Sequence, residues 1–125
     1  MVERIPILKL QNILVASIQT ELTDRSAAQF KDDLLRDIAR HAARGVILDL
    51  TALSIVDSYM GRIISDIAQA ACLMGAQVVV TGLQPEVAAT LVELGLTLPG
   101  VRTALNLEKG LALLQVSPNG WGRRG

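Results

Sequence analysis

Residues 45 to 61 read Gly45-Val46-Ile47-Leu48-Asp49-Leu50-Thr51-Ala52-Leu53-Ser54-Ile55-Val56-Asp57-Ser58-Tyr59-Met60-Gly61, and this stretch decides the fold class. Val46 to Leu50 is an almost continuous apolar run, as expected of a strand buried on both faces in a parallel sheet. Asp49 is its single charge and is therefore conspicuous. After a connection over 51 to 57 the pattern changes to helical spacing, with Met60, Ile63, Ile64, Ile67, Ala71 and Met74 as one stripe and Gly75 as the stop.

Beyond that helix, Gln77 to Thr81 reads as another buried strand. Pro85 suits the first turn of a third helix, with Val87, Leu91 and Leu94 inward and Gly95 closing it. A short strand follows near 101 to 104. Asn106 can cap a last helix in which Leu107, Leu111 and Leu114 share a face and Gly110 weakens the middle.

Upstream, a helix from Thr23 or Asp24 carries the stripe Ala27, Phe30, Leu34, Ile38 and Ala42 and is expected to end at Gly45. Residues 4 to 10 and 13 to 18 read as strands of a hairpin turning at Gln11-Asn12. Pro6 cannot donate to a ladder, which places the first strand at a sheet edge. The order ββαβαβα(β)α predicts an α/β fold: a mixed, mostly parallel sheet with an opening antiparallel hairpin and about four helices. One domain is expected over 1 to 116, and residues 117 to 125, without a packing pattern, are expected to form a flexible tail.

The 125 residues are half apolar but include only three aromatics, Phe30, Tyr59 and Trp121, so the core is aliphatic and base stacking has no platform. Twelve basic residues balance twelve acidic ones without long blocks of either sign, which argues against nucleic acid and membrane partners. No segment approaches the roughly 20 apolar residues of a membrane span, no secretory leader is evident, and the single Cys72 is compatible with a reducing compartment; a cytoplasmic location is expected. The aliphatic, near-neutral surface favours self-association.

Catalytic inventory is short. One His and one Cys exclude a structural zinc site by count, and neither a Walker nor a dinucleotide glycine loop is present, so no metal and no cofactor are expected. A magnesium-dependent phospho-aspartate receiver would need paired carboxylates after the early strands, where the chain reads Gln19-Thr20-Glu21-Leu22. A small serine hydrolase using Ser58 and His41 is formally possible but lacks a G-x-S-x-G elbow, and His41 suits the carbonyl end of the first helix. The chain is read as a non-enzyme.

The polar richness of the 49 to 61 stretch has a simple physical reading. Asp57 or Ser58 can cap the second helix by accepting from its unpaired first amides. If Asp57 caps, Ser58 is the first helical residue, with an exposed hydroxyl able to accept phosphate near amides that tolerate an anion. The plainer alternative is an ordinary helix start. Gly61, inside the first turn, costs about 1 kcal/mol relative to Ala, so close packing or a close partner is expected there.

These residues resemble the STAS domains of anti-sigma-factor antagonists, in which a strand-end Asp leads through a short loop to an Asp-Ser pair opening a helix, here Asp49, Asp57 and Ser58. The resemblance extends over the opening hairpin, Gly45 to Thr51, Gly75 to Gly82 and the final helix. The reading Asp57-Ser58-Tyr59-Met60-Gly61-Arg62 departs from the D-S-S-G-L-G of the simple antagonists; with Gln84 to Leu91 and Leu94-Gly95-Leu96 it is most similar to the small STAS-only scaffold subunits of the bacterial stressosome.

The resemblance implies a switch serine/threonine kinase bound by the unmodified scaffold and released when Ser58 is phosphorylated, a phosphatase that resets it, and homo- and hetero-oligomers with larger STAS-bearing co-scaffold subunits. A free antagonist that binds an anti-sigma kinase directly is the alternative. Thr90 matches a second phosphoacceptor of the co-scaffold proteins, against its reading as a plain helix-surface threonine. Ile55, Val56, Tyr59, Met60 and Arg62, with Asp49, Asp57 and Gly61, are the candidate partner-contacting residues, core packing being the alternative for Val56 and Met60.

Overall fold

The structure is a computed structural model and describes residues 4–93 and 100–114. Among these described residues, five strands and four helices follow in the order β1 (Ile7–Leu10), β2 (Ile13–Ser17), α1 (Asp24–His41), β3 (Gly45–Asp49), α2 (Ser58–Leu73), β4 (Gln77–Thr81), α3 (Pro85–Glu93), β5 (Val101–Ala104) and α4 (Leu107–Leu114). The strands lie in one sheet in sequence order, β1 antiparallel to β2 and every later pair parallel. This is the mixed sheet that the periodicities predict.

The hairpin turns at Gln11, whose φ of 57° accommodates the tight reversal. Ile7 pairs with Ala16 and Leu10 with Ile13, so β1 starts just after Pro6 and not at residue 4. A proline has no amide for the ladder, and it leaves β1 on the edge.

Successive residues of β3 point to opposite faces. Val46 and Leu48 enter the main core with Phe30, Leu34 and Ile38 of α1 and Ile64 and Ile67 of α2. Ile47 faces the other way, into a smaller cluster with Ile13, Val79 and Leu114 beneath α4. Two covered faces explain the unbroken apolar run, and each fully buried aliphatic or aromatic side chain contributes about 1.5–3 kcal/mol.

Three sequence expectations change. The first helix ends at His41, with Ala42 as a left-handed C-cap at φ 49°, and Gly45 instead opens β3. A Cβ at Gly45 would lie 2.9 Å from Leu114 Cδ1, so the glycine admits α4 and does not terminate α1. Ala42 and Met74 are exposed caps and not members of the buried stripes. In α4, Leu107 is exposed and the buried positions are Gly110 and Leu114, because a Cβ at Gly110 would stand 2.7 Å from Thr81 Cγ2. Leu94, Gly95, Leu96 and the tail boundary at 116 lie outside the described residues.

Candidate functional site

Asp57 is the N-cap of α2: its backbone is extended, and its Oδ1 accepts from the Met60 amide at 2.8 Å. Ser58 is therefore the first helical residue. It is exposed, and among the described residues its hydroxyl makes no hydrogen bond. Of the two capping arrangements open from sequence, the structure adopts the one that leaves the serine free.

The connection from β3 to α2 is fixed from below by side chains that the chain brings together from two strand ends. Asp49 Oδ1 accepts from Thr51 Oγ1 at 2.9 Å and from Thr81 Oγ1 at 2.8 Å. Thr81 is fully buried, so this carboxylate is its means of satisfying a hydroxyl that has left water. Gln84 Nε2 donates to the Thr51 carbonyl at 2.9 Å, and the Leu50 amide donates to the Thr81 carbonyl at 2.8 Å. Gly82, at φ 76°, lies so close to this loop that a Cβ would fall 2.0 Å from Thr51 Oγ1.

Apolar anchors complete the support. Leu53, Val56 and Met60 are 4%, 3% and 1% exposed, and the Leu22 amide donates to Met60 Sδ at 3.3 Å. Gly61 is buried as well. The candidate contact residues thus divide: Val56, Met60 and Gly61 face the core and present no side chain to a partner, whereas Ile55 at 73% exposure, Tyr59 at 45% and Arg62 stand on the surface around Ser58.

Tyr59 ties this surface to the start of α1, its phenol donating to Asp24 Oδ1. That bond, reinforced by the adjacent negative charges of Asp24 and Asp57, raises the phenol above its ordinary ionisation range. Thr90 lies on α3 with its hydroxyl turned onto its own helix, donating to the Glu86 carbonyl at 2.9 Å. This is the ordinary back-bond of a helical threonine.

The hydrolase arrangement is not assembled. The starts of α1 and α2 meet at Tyr59 and Asp24, and both helices run back across the sheet; α1, with 18 residues, is about 27 Å long at 1.5 Å per residue. His41, at its far end, cannot reach Ser58. No group of three or more His, Cys, Asp or Glu that could hold a metal, and no helix long and apolar enough to cross a membrane, occurs among the described residues.

A cavity of about 740 Å³ opens at this same end of the sheet, between Arg4, Ile5 and Pro6 and the segment leading from Ser17 into α1. It lies beside the β2–α1 connection and not at the β3–α2 connection that sequence singled out. No site role was expected from the sequence for Thr51, Thr81, Gln84 or Asp24. For Thr81 a signal exists: in the parallel register of β3 with β4 it stands opposite Asp49.

A mixed, mostly parallel sheet backed by helices, with a serine behind an aspartate cap opening the helix after the strand-end aspartate, is the arrangement of a STAS domain. The model of the STAS domain family matches residues 4–109, and the chain belongs to that family. The expected likeness to the small scaffold type holds. Moorella thermoacetica RsbS S58E is 45% identical, with a TM-score of 0.75 over 88% of this chain and 93% of that one. A chain from the structure described as the molecular architecture of the stressosome is 46% identical, with a TM-score of 0.78 over 87% of this chain and 95% of that one.

The RsbT co-antagonist protein RsbRA of Bacillus subtilis is 31% identical over 101 residues, which are 81% of this chain and 37% of that protein. The chain spans about a third of the length of the curated relatives it matches. SpoIIAA in its unphosphorylated form, 16% identical with a TM-score of 0.67, shares the fold.

Proposed function

We propose that this chain is a phosphorylation-gated scaffold subunit of a stressosome-type assembly in bacterial stress signalling. It holds a serine/threonine switch kinase while Ser58 is unmodified and releases it when Ser58 is phosphorylated. The observation that carries this reading is the exposed, unbonded Ser58 hydroxyl at the first position of α2, behind the Asp57 cap. The likeness to RsbS and to a stressosome chain supplies the kind of system.

The kinase transfers the γ-phosphoryl of ATP to Ser58 Oγ; the bond to the departing ADP breaks as the new P–O bond forms, and the hydroxyl proton passes to a base of the kinase. The product adds close to two negative charges at neutral pH, beside helix amides that favour an anion. The domain therefore stays folded and the penalty falls on whatever is docked over Ile55, Tyr59 and Arg62. A phosphatase resets the state. Larger subunits resembling the RsbT co-antagonists supply the rest of the particle, by the likeness of their STAS portion. The chain itself acts in the cytoplasm without catalysis, cofactor or metal, through a domain ending near residue 116.

Incubation with the cognate kinase and ATP, followed by peptide mass spectrometry, is expected to place phosphate on Ser58; clean modification elsewhere would remove the mechanism. Ser58→Ala should retain the kinase and Ser58→Asp should weaken it, partially, since one carboxylate has less charge than a phosphate. Light scattering with a co-scaffold partner should give a large particle. A monomer or dimer under those conditions would indicate a free antagonist instead.

A further inference from the structure

Phosphate on Ser58 would enter an acidic corner. Asp57 precedes it, and Tyr59 holds Asp24 of α1 against the same helix turn. The amides of the first turn are partly committed already, since Asp57 takes the one from Met60. Within α2, the sequence from Ser58 to Leu73 contains a single basic residue, Arg62.

Arg62 stands four residues after Ser58, so the two side chains share one helix face a turn apart. Both are exposed. Among the described residues the Arg62 guanidinium has no hydrogen bond or ion pair, even though Asp66 lies one turn further along the same face. The order is the favourable one, with the anion towards the helix start and the cation towards its end. A guanidinium also matches the oxygens of a phosphate with two parallel donors.

Resting on the reading of Ser58 as the phosphoacceptor, we infer that Arg62 is the intramolecular receiver of the Ser58 phosphate. In the unmodified chain the guanidinium is free for a docked partner; once the phosphate is present it is drawn back along its own helix. Modification then alters the docking face twice, by adding an anion and by withdrawing its cation. The titratable and charged groups to be considered there are Asp57 on the connection, the neutral Tyr59 phenol and Arg62 on α2, and Asp24, with Arg25 next to it in sequence, on α1.

The test uses the full chain with phosphoserine inserted at position 58 during translation, so that no kinase is needed. Phosphorus NMR follows the second ionisation of the phosphate. Arg62→Gln should raise it by about 0.3 of a pH unit, a twofold gain in proton affinity and the size expected of an exposed pair at this spacing. Arg62→Lys should keep most of the effect, and salt near 1 M should erase it. Superimposable titrations of the parent and Arg62→Gln at low salt would overturn the inference, as would an equal rise in Arg25→Gln. Because the phosphate is installed directly, a kinase that ignores Ser58 would sink the proposed function and leave this result standing.

Discussion

Replacing Asp49 by Ala tests whether this residue supports the loop or touches a partner. Its Oδ1 accepts two hydroxyl hydrogen bonds, and one donor, Thr81, is fully buried. Bonds to a charged acceptor contribute about 1.5–3 kcal/mol, and stranding a buried hydroxyl costs about 1–3 kcal/mol. Because the Thr51 bond is exposed and adds little, a loss of about 3 kcal/mol is expected. With a urea slope of about 1.5 kcal/mol/M the midpoint should fall by about 2 M at constant slope.

Thr81→Val removes the donor while keeping its shape, so the double variant should recover at least about 1 kcal/mol relative to the sum of the single ones. Asp49→Asn retains an acceptor oxygen and should fold nearly as well. If Asp49→Ala costs under about 0.5 kcal/mol, or the two changes simply add, the supporting role assigned to this carboxylate is wrong. A fully folded Asp49→Asn that loses the kinase would place Asp49 in the interface instead.

Two glycines with positive φ separate strain from crowding. Gly82→Ala puts a Cβ 2.0 Å from Thr51 Oγ1, whereas Gly75→Ala at φ 90° meets nothing within 4 Å. In urea unfolding the latter should lose only about 1 kcal/mol of conformational cost and the former clearly more, with faster amide exchange over 51 to 57. Gly110→Ala should destabilise by about 1–3 kcal/mol despite the better helix propensity of alanine, because Thr81 Cγ2 stands 2.7 Å away and its hydroxyl is held by Asp49; thermal unfolding reads this as a lower Tm. Tyr59 is the single tyrosine, so absorbance near 295 nm follows it alone. Its phenol should ionise above the ordinary value of 10.0, and Asp24→Asn should lower it. A raised folded pKa means that this contact contributes fully below the unfolded value and is lost as pH rises through the folded one, which confines the pH dependence of its contribution to alkaline solution.

The periodicity of the apolar residues made most of the fold legible, since Val46 to Leu50 and Val78 to Val80 can be buried on two faces only in a covered parallel sheet. What escaped was set by third-party contacts. Gly45 looks like a helix stop until Leu114 is seen packed against it, and Gly110 looks like a weakness until Thr81 lies beneath it. Ser58 and its cap could be read because a helix start is a local event. The Asp49, Thr51, Thr81 and Gln84 cluster could not, because its members meet only when two strand ends come into register.

That cluster bears on how a modification at Ser58 is transmitted. One possibility is that phosphate melts the start of α2; the other is that it leaves the backbone in place and changes only the face. Repulsion between the phosphate and a nearby carboxylate in water amounts to about 1 kcal/mol per pair of unit charges at 4 Å, and the helix start returns about 0.3–1 kcal/mol in favour of the anion. Lifting the turn would expose Val56 and Met60, now 3% and 1% exposed, at about 1.5–3 kcal/mol each, and would break the Asp57 cap as well. The anchoring exceeds the repulsion. Under the proposed function, phosphate on a serine held this way would signal by its charge, and the firmness of the loop beneath it would keep that charge at one fixed place on the proposed docking face.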